Sequence, residues 1–82
     1  MAKSKEIRPK DRKTGLQVAF GKMVRARRLE KKLSQEELAS IADLHFTYVS
    51  SVERGERNIS IENIARLAKA LGCQLKDLMP NI

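Results

Sequence analysis

The chain has 82 residues and a mass of 9.3 kDa, which allows one small domain with a single core. Hydrophobic residues make up 41% and charged residues 33%, so a chain disordered throughout is excluded. The balance of 17 Lys and Arg against 10 Asp and Glu gives +7, which points to a polyanionic partner.

Residues 1–15 hold six basic residues (Lys3, Lys5, Arg8, Lys10, Arg12 and Lys13) against Glu6 and Asp11, with Ile7 as the one apolar side chain of any size after Met1. Broken by Pro9 and Gly15, this stretch reads as a flexible basic tail that carries more than half of the net charge. From Leu16 the apolar residues fall at helical spacing, without the sustained alternation of a strand. The first helix is expected over about 16–31, with Phe20, Met23, Val24 and Leu29 on its inner side. Ser34 followed by Glu37 forms a capping box for a second helix whose buried stripe is Leu38, Ile41 and Ala42. A third short helix is built on Val49 and Val52 and stops at Gly55. Ser60 caps a fourth helix with Ile61, Ile64, Ala65, Leu67, Ala68 and Leu71 as inner positions, ended by Gly72. A last turn around Leu75, Leu78 and Met79 precedes Pro80.

One cysteine, Cys73, and one histidine, His45, leave too few ligands for a zinc site and no partner for an internal disulfide. A reducing cytoplasm fits, and no cofactor is expected. No apolar run reaches the ~18 residues of a membrane span, and the N-terminus lacks the apolar core of a secretion signal. Catalysis is not expected, because no acid pair, nucleophile with a base, or metal cluster stands at a useful spacing.

On a helix turning ~100° per residue, Val49 and Val52 set the inner side of the third helix. Thr47, Ser50, Ser51 and Arg54 are then expected to point outward, with Phe46 and Tyr48 on the flanks. Hydroxyls meet donors or acceptors at base edges, a methyl or an aromatic ring meets a thymine methyl, and Arg54 reaches a phosphate or a guanine. The positive end of the second helix, with Ser34 and Gln35, offers phosphate donors. Cys73 reads as a small core hydrophobe. Phe46 reads equally as a base contact or as an edge residue packed on Leu44.

The stretch SQEELASIADLHFTYVSSVERGERN resembles the helix-turn-helix of the phage repressor and Cro-like (Xre) family, and the resemblance runs from about Phe20 to Met79. It rests on the capped Ser34-Gln35 start, the small Ala39, the Val49 and Val52 pair, the Glu53-x-Gly55 ending, and the helix ending at Leu71-Gly72. It implies an all-α, five-helix, lambda-repressor-like DNA-binding domain over residues 16–82, with the motif at about 34–54 and the basic tail before it. Asp43 and Lys32 stand where relatives usually carry glycine, and aspartate tolerates positive φ better than most residues. Thr47-Tyr48-x-Ser50-x-x-Glu53-Arg54-Gly55-x-Arg57-Asn58 is especially similar to restriction-modification controller proteins. Those often have arginine where this chain has Phe46, so their direct guanine contact is not carried over.

The resemblance implies a transcriptional regulator acting as a homodimer on an inverted repeat of double-stranded DNA, in the cytoplasm at the nucleoid. The expected base contacts are Phe46, Thr47, Ser50 and Ser51. The expected phosphate contacts are Ser34, Gln35, His45, Tyr48, Arg54, Arg57 and Asn58. Arg28 and Glu53 match positions of a structural ion pair. Leu75, Leu78, Met79 and Ile82 offer apolar surface for the dimer, which would set two recognition helices ~34 Å apart. RNA polymerase, met by Glu36, Glu37 or Glu56, or a toxin are the further partners weighed. The alternatives are an antitoxin or adaptor using the fold for protein contacts, and binding of nucleic acid through charge alone.

Overall fold

A computed structural model describes residues 14–80. The proposed basic tail up to Lys13 and the dimer position Ile82 lie outside the described residues. Among those described, five helices follow one another: α1 (Gly15–Glu30), α2 (Gln35–Ala42), α3 (Phe46–Glu53), α4 (Ile61–Leu71) and α5 (Leu75–Leu78).

The helix starts follow the chain's capping residues. Ser34 Oγ accepts from the Glu37 N–H at 2.9 Å while Glu37 Oε1 accepts from the Ser34 N–H at 2.7 Å. Ser60 Oγ accepts from the Asn63 N–H at 3.2 Å. A second capping box, missed in the sequence, opens α1: Thr14 Oγ1 accepts from the Gln17 N–H at 3.0 Å, and Gln17 Oε1 accepts from the Thr14 N–H at 3.1 Å. Thr14 and Gly15 therefore belong to the helical domain and not to the tail.

The four longer helices end alike. Leu33 N–H donates to the Arg28 carbonyl at 3.1 Å, and Leu44 to Ala39, Glu56 to Ser51 and Cys73 to Ala68, each at 2.9 Å. This six-to-one bond closes only when the residue before the donor is left-handed. Those residues are Lys32, Asp43, Gly55 and Gly72, with φ of 58°, 60°, 76° and 72°. Both non-glycine substitutions seen in the sequence thus sit at positions with the backbone geometry for which the family favours glycine.

Leu38, Leu67, Leu71, Leu78, Val24 and Val49 are fully buried and, with Phe20, Ala39, Ala42, Val52 and Ala68, form one core drawn from every helix. Cys73 packs against it, and burial pushes its thiol up from the ordinary value. Some expected inner positions are instead exposed. Ile61 is 75% exposed and Ile41 58%, and Ala65 and Leu29 are exposed too, because the neighbouring helices cover narrower stripes than the apolar periodicity spans.

Gly21 brings α1 onto the end of α3. A Cβ there would lie 2.9 Å from the Glu53 carbonyl oxygen and nearer still to that of Val52. Only glycine permits this approach, so α1 acts as the platform that fixes the tilt of α3.

Candidate nucleic-acid interface

The eight residues of α3 are held by Val49 and Val52 on the inner side, which leaves Thr47 and the C-cap residue Arg54 exposed and Ser50 half-buried on the outer side. His45 caps the helix: its Nδ1 accepts from the Thr47 N–H at 3.1 Å and lies 2.8 Å from Thr47 Oγ1. An Nδ1 that accepts leaves the proton of the neutral ring on Nε2, a donor on an exposed side chain. Arg54 donates to Ser50 Oγ one turn earlier and pairs with Glu56 at 3.1 Å. Ser50 and Arg54 therefore form one stripe along the helix.

Glu53, the last residue of α3, ties three helices together. One carboxylate oxygen accepts from Arg28 Nε at 2.6 Å, and the other from Arg28 Nη2 and Gln35 Nε2, each at 3.0 Å. Arg28 Nη1 also donates to the Leu33 carbonyl at 2.8 Å, so the α1–α2 loop is fixed to the same side chain. Both ionic side chains are buried, and hydrogen bonding by Glu53 holds the guanidinium pKa up against the opposing effect of desolvation. The Gln35 bond sets the positive N-terminus of α2 beside the C-terminal end of α3. At the other end of the motif, Arg66 of α4 reaches the Asp43 carboxylate at 3.2 Å and its carbonyl at 3.4 Å, across the turn between α2 and α3. Sequence reasoning missed Arg66, whose position in α4 gives no local sign of a partner 23 residues away.

The sequence pattern of the helix-turn-helix family matches residues 24–78. The chain belongs to the helix-turn-helix family. Among its relatives is control protein C.BamHI of Bacillus amyloliquefaciens, 52% identical over 65 residues that cover 78% of this chain and 80% of that protein. The crystal structure of the restriction-modification controller C.AhdI from Aeromonas hydrophila superposes with a TM-score of 0.74 at 47% identity, covering 76% of this chain and 94% of that one. The biofilm regulator SinR, solved in complex with DNA, superposes with a TM-score of 0.70 at 32% identity over 72% of this chain and 95% of that one.

Within the helix-turn-helix frame, α2 and α3 are the motif helices. Of the residues expected at base edges, Thr47 is exposed, Phe46 is 41% exposed at the first position of α3, and Ser50 is half-buried. Ser51 is corrected: it is 8% exposed, and its hydroxyl donates to the Tyr48 carbonyl and accepts from Arg57 Nε, both at 2.9 Å. The loop after α3 folds back over it, so the Ser51 hydroxyl is occupied within the chain instead of pointing outward. Of the residues expected at phosphates, Ser34, His45, Arg54, Arg57 and Asn58 are exposed and Gln35 and Tyr48 half-buried.

The expected dimer surface is corrected as well. Leu78 is fully buried inside its own chain, where it anchors α5 to the core. Leu75 and Met79 remain exposed on either side of it, and Ile61 and Ala65 add apolar surface on α4. Among the described residues no His, Cys, Asp or Glu group is arranged to hold a metal ion, and no helix is long and apolar enough to cross a membrane.

Proposed function

We propose that this helix-turn-helix protein is a sequence-specific DNA-binding transcriptional regulator, acting as a homodimer on an inverted repeat in the manner of a restriction-modification controller. The observation that carries the reading is the outer face of α3, where exposed Thr47, half-buried Ser50 and the exposed C-cap residue Arg54 stand on a helix locked at both ends by His45 and the Arg28–Glu53 pair. A short polar helix held this firmly is suited to lie in a major groove, with hydroxyls against base edges and the Phe46 ring against a thymine methyl. The α2 N-terminus, the His45 Nε2–H, and the Arg57–Asn58 loop supply donors for DNA phosphates around it. The names of the relatives, control proteins and a regulator solved on DNA, support the same reading. The dimer draws on the exposed Leu75 of α5 and Met79 at its end, with the exposed Ile61 of α4 as further apolar surface. The net charge of +7 favours a polyanion and suits a protein working at the nucleoid in the cytoplasm.

Selection from a random duplex pool at near-physiological salt tests the reading. Enrichment of an inverted repeat is the expected result. Retention of duplexes without sequence preference would replace base reading by charge-driven binding, and retention of none would move the function to protein partners.

A further inference from the structure

We infer that Ser51 is a positioning residue, which together with the Tyr48 ring docks the Arg57 guanidinium in the free protein so that a DNA phosphate meets an arginine already in place. The inference rests on the DNA-binding reading above and deepens it.

Helical geometry turns Ser51 away from Val49 and Val52, yet it is buried, because Arg57 closes over it from the loop after α3. The Ser51 hydroxyl is directional. Its hydrogen is committed to the Tyr48 carbonyl at 2.9 Å, one turn back along α3, which leaves the oxygen lone pairs facing outward. A guanidinium only donates, so the Nε–H of Arg57 completes that oxygen at 2.9 Å. The same guanidinium is held over an aromatic face, with Cζ 4.9 Å from the Tyr48 ring centroid. Tyr48 itself packs partly into the core, so the platform does not move with the loop. With Nε used for anchoring, the two Nη groups of an otherwise exposed side chain are left for a phosphate, in the fork that suits its oxygens. A long arginine normally loses rotamer freedom when it binds, and here that loss is taken during folding. Alanine at position 51 would keep the helix and the charge and would remove the anchor.

The test titrates a fluorescein-labelled random-sequence duplex at low and rising salt with the full chain, Ser51→Ala, Arg57→Ala and the double variant. In the free proteins, the Arg57 Nε–H resonance is followed by hydrogen exchange. The inference expects Ser51→Ala to weaken binding by about three- to tenfold with the salt slope kept, the order that ordering one long side chain costs. Arg57→Ala should lower the slope by about one, and Ser51→Ala should add nothing in that background. The Nε–H should exchange slowly in the wild-type chain and fast in Ser51→Ala, a change that a merely structural loss of stability elsewhere would not confine to this proton. Undiminished affinity of Ser51→Ala, an equal loss in the Arg57→Ala background, or a neutral Arg57→Ala would overturn the inference, while wild-type binding to the duplex leaves the DNA-binding reading standing, its sequence preference being read by the selection above. A wild-type chain that binds no duplex would overturn both.

Discussion

Glu53 is the side chain on which the angle of α3 depends, since its carboxylate receives Arg28 from α1 and Gln35 from α2. Removing one partner of a buried pair leaves the other charge without its match, at a cost of about 3–5 kcal/mol. Glu53→Ala should therefore lower the melting temperature by more than ten degrees, on the order of 4–8 °C per kcal/mol for a domain this size. Calorimetry showing an unchanged midpoint would mean that the pair is idle. Cys73 tests burial at the opposite side of the chemistry. Its thiol pKa is raised by desolvation, with Asp77 adding and Arg27 and Lys31 opposing. The neutral form is thus favoured by folding, and stability contributed by this group falls as pH rises past the ordinary thiol value. At neutral pH the native chain should react with a disulfide reagent more slowly than the urea-unfolded chain, and equal rates would show that folding neither shields the thiol nor disfavours its ionisation. The Arg28–Glu53 pair could be read from the family resemblance, and Cys73 from its place after a helix stop. Ser51 could not, because a helical wheel sees only its own helix, and the residue that covers Ser51 comes from the following loop.

The helices stand where capping residues and glycines put them, and the boundaries were legible for that reason: Ser34 with Glu37, Ser60, Gly55 and Gly72 all act as expected. The Thr14–Gln17 box was hidden by the basic residues before it, which drew the tail two residues too far. Ile41 and Ile61 were misassigned because periodicity gives the centre of an apolar stripe but not the width that a neighbour covers. Lys32 and Asp43 hold left-handed backbone at φ of 58° and 60°, which costs an L-residue roughly 1–2 kcal/mol. Glycine relieves that strain and adds back less in chain entropy. Lys32→Gly should stabilise the domain by about 1 kcal/mol, seen as a midpoint raised by roughly 4–8 °C. Asp43→Gly should gain less, because it also removes the exposed contact with Arg66. A lowered midpoint for Lys32→Gly would show that its left-handed backbone is not strained.

For the molecule as a whole, the fold class and the motif were in the sequence, whereas the surface through which two copies meet was only half there. Leu78 looked like interface by composition, but a four-residue helix has no other way to hold to the domain than to bury its best apolar side chain. What remains outside is Leu75 and Met79, each 43% exposed, and Ile61 on α4. One eight-residue helix reads few base pairs, so the proposed operator needs two copies with their α3 helices ~34 Å apart. Joining two half-site contacts in one dimer raises affinity by about 10²-fold or more without any new DNA contact. Leu75→Glu combined with Met79→Glu places like charges across such an interface while sparing Leu78 and the core. The double variant should sediment as a monomer at micromolar concentration, keep its melting transition as a folded domain, and bind the full operator only as tightly as a single half-site. A variant that still sediments as a dimer would exclude the α5 surface and turn the search to Ile61, and a monomer with full operator affinity would show that each copy reads DNA alone.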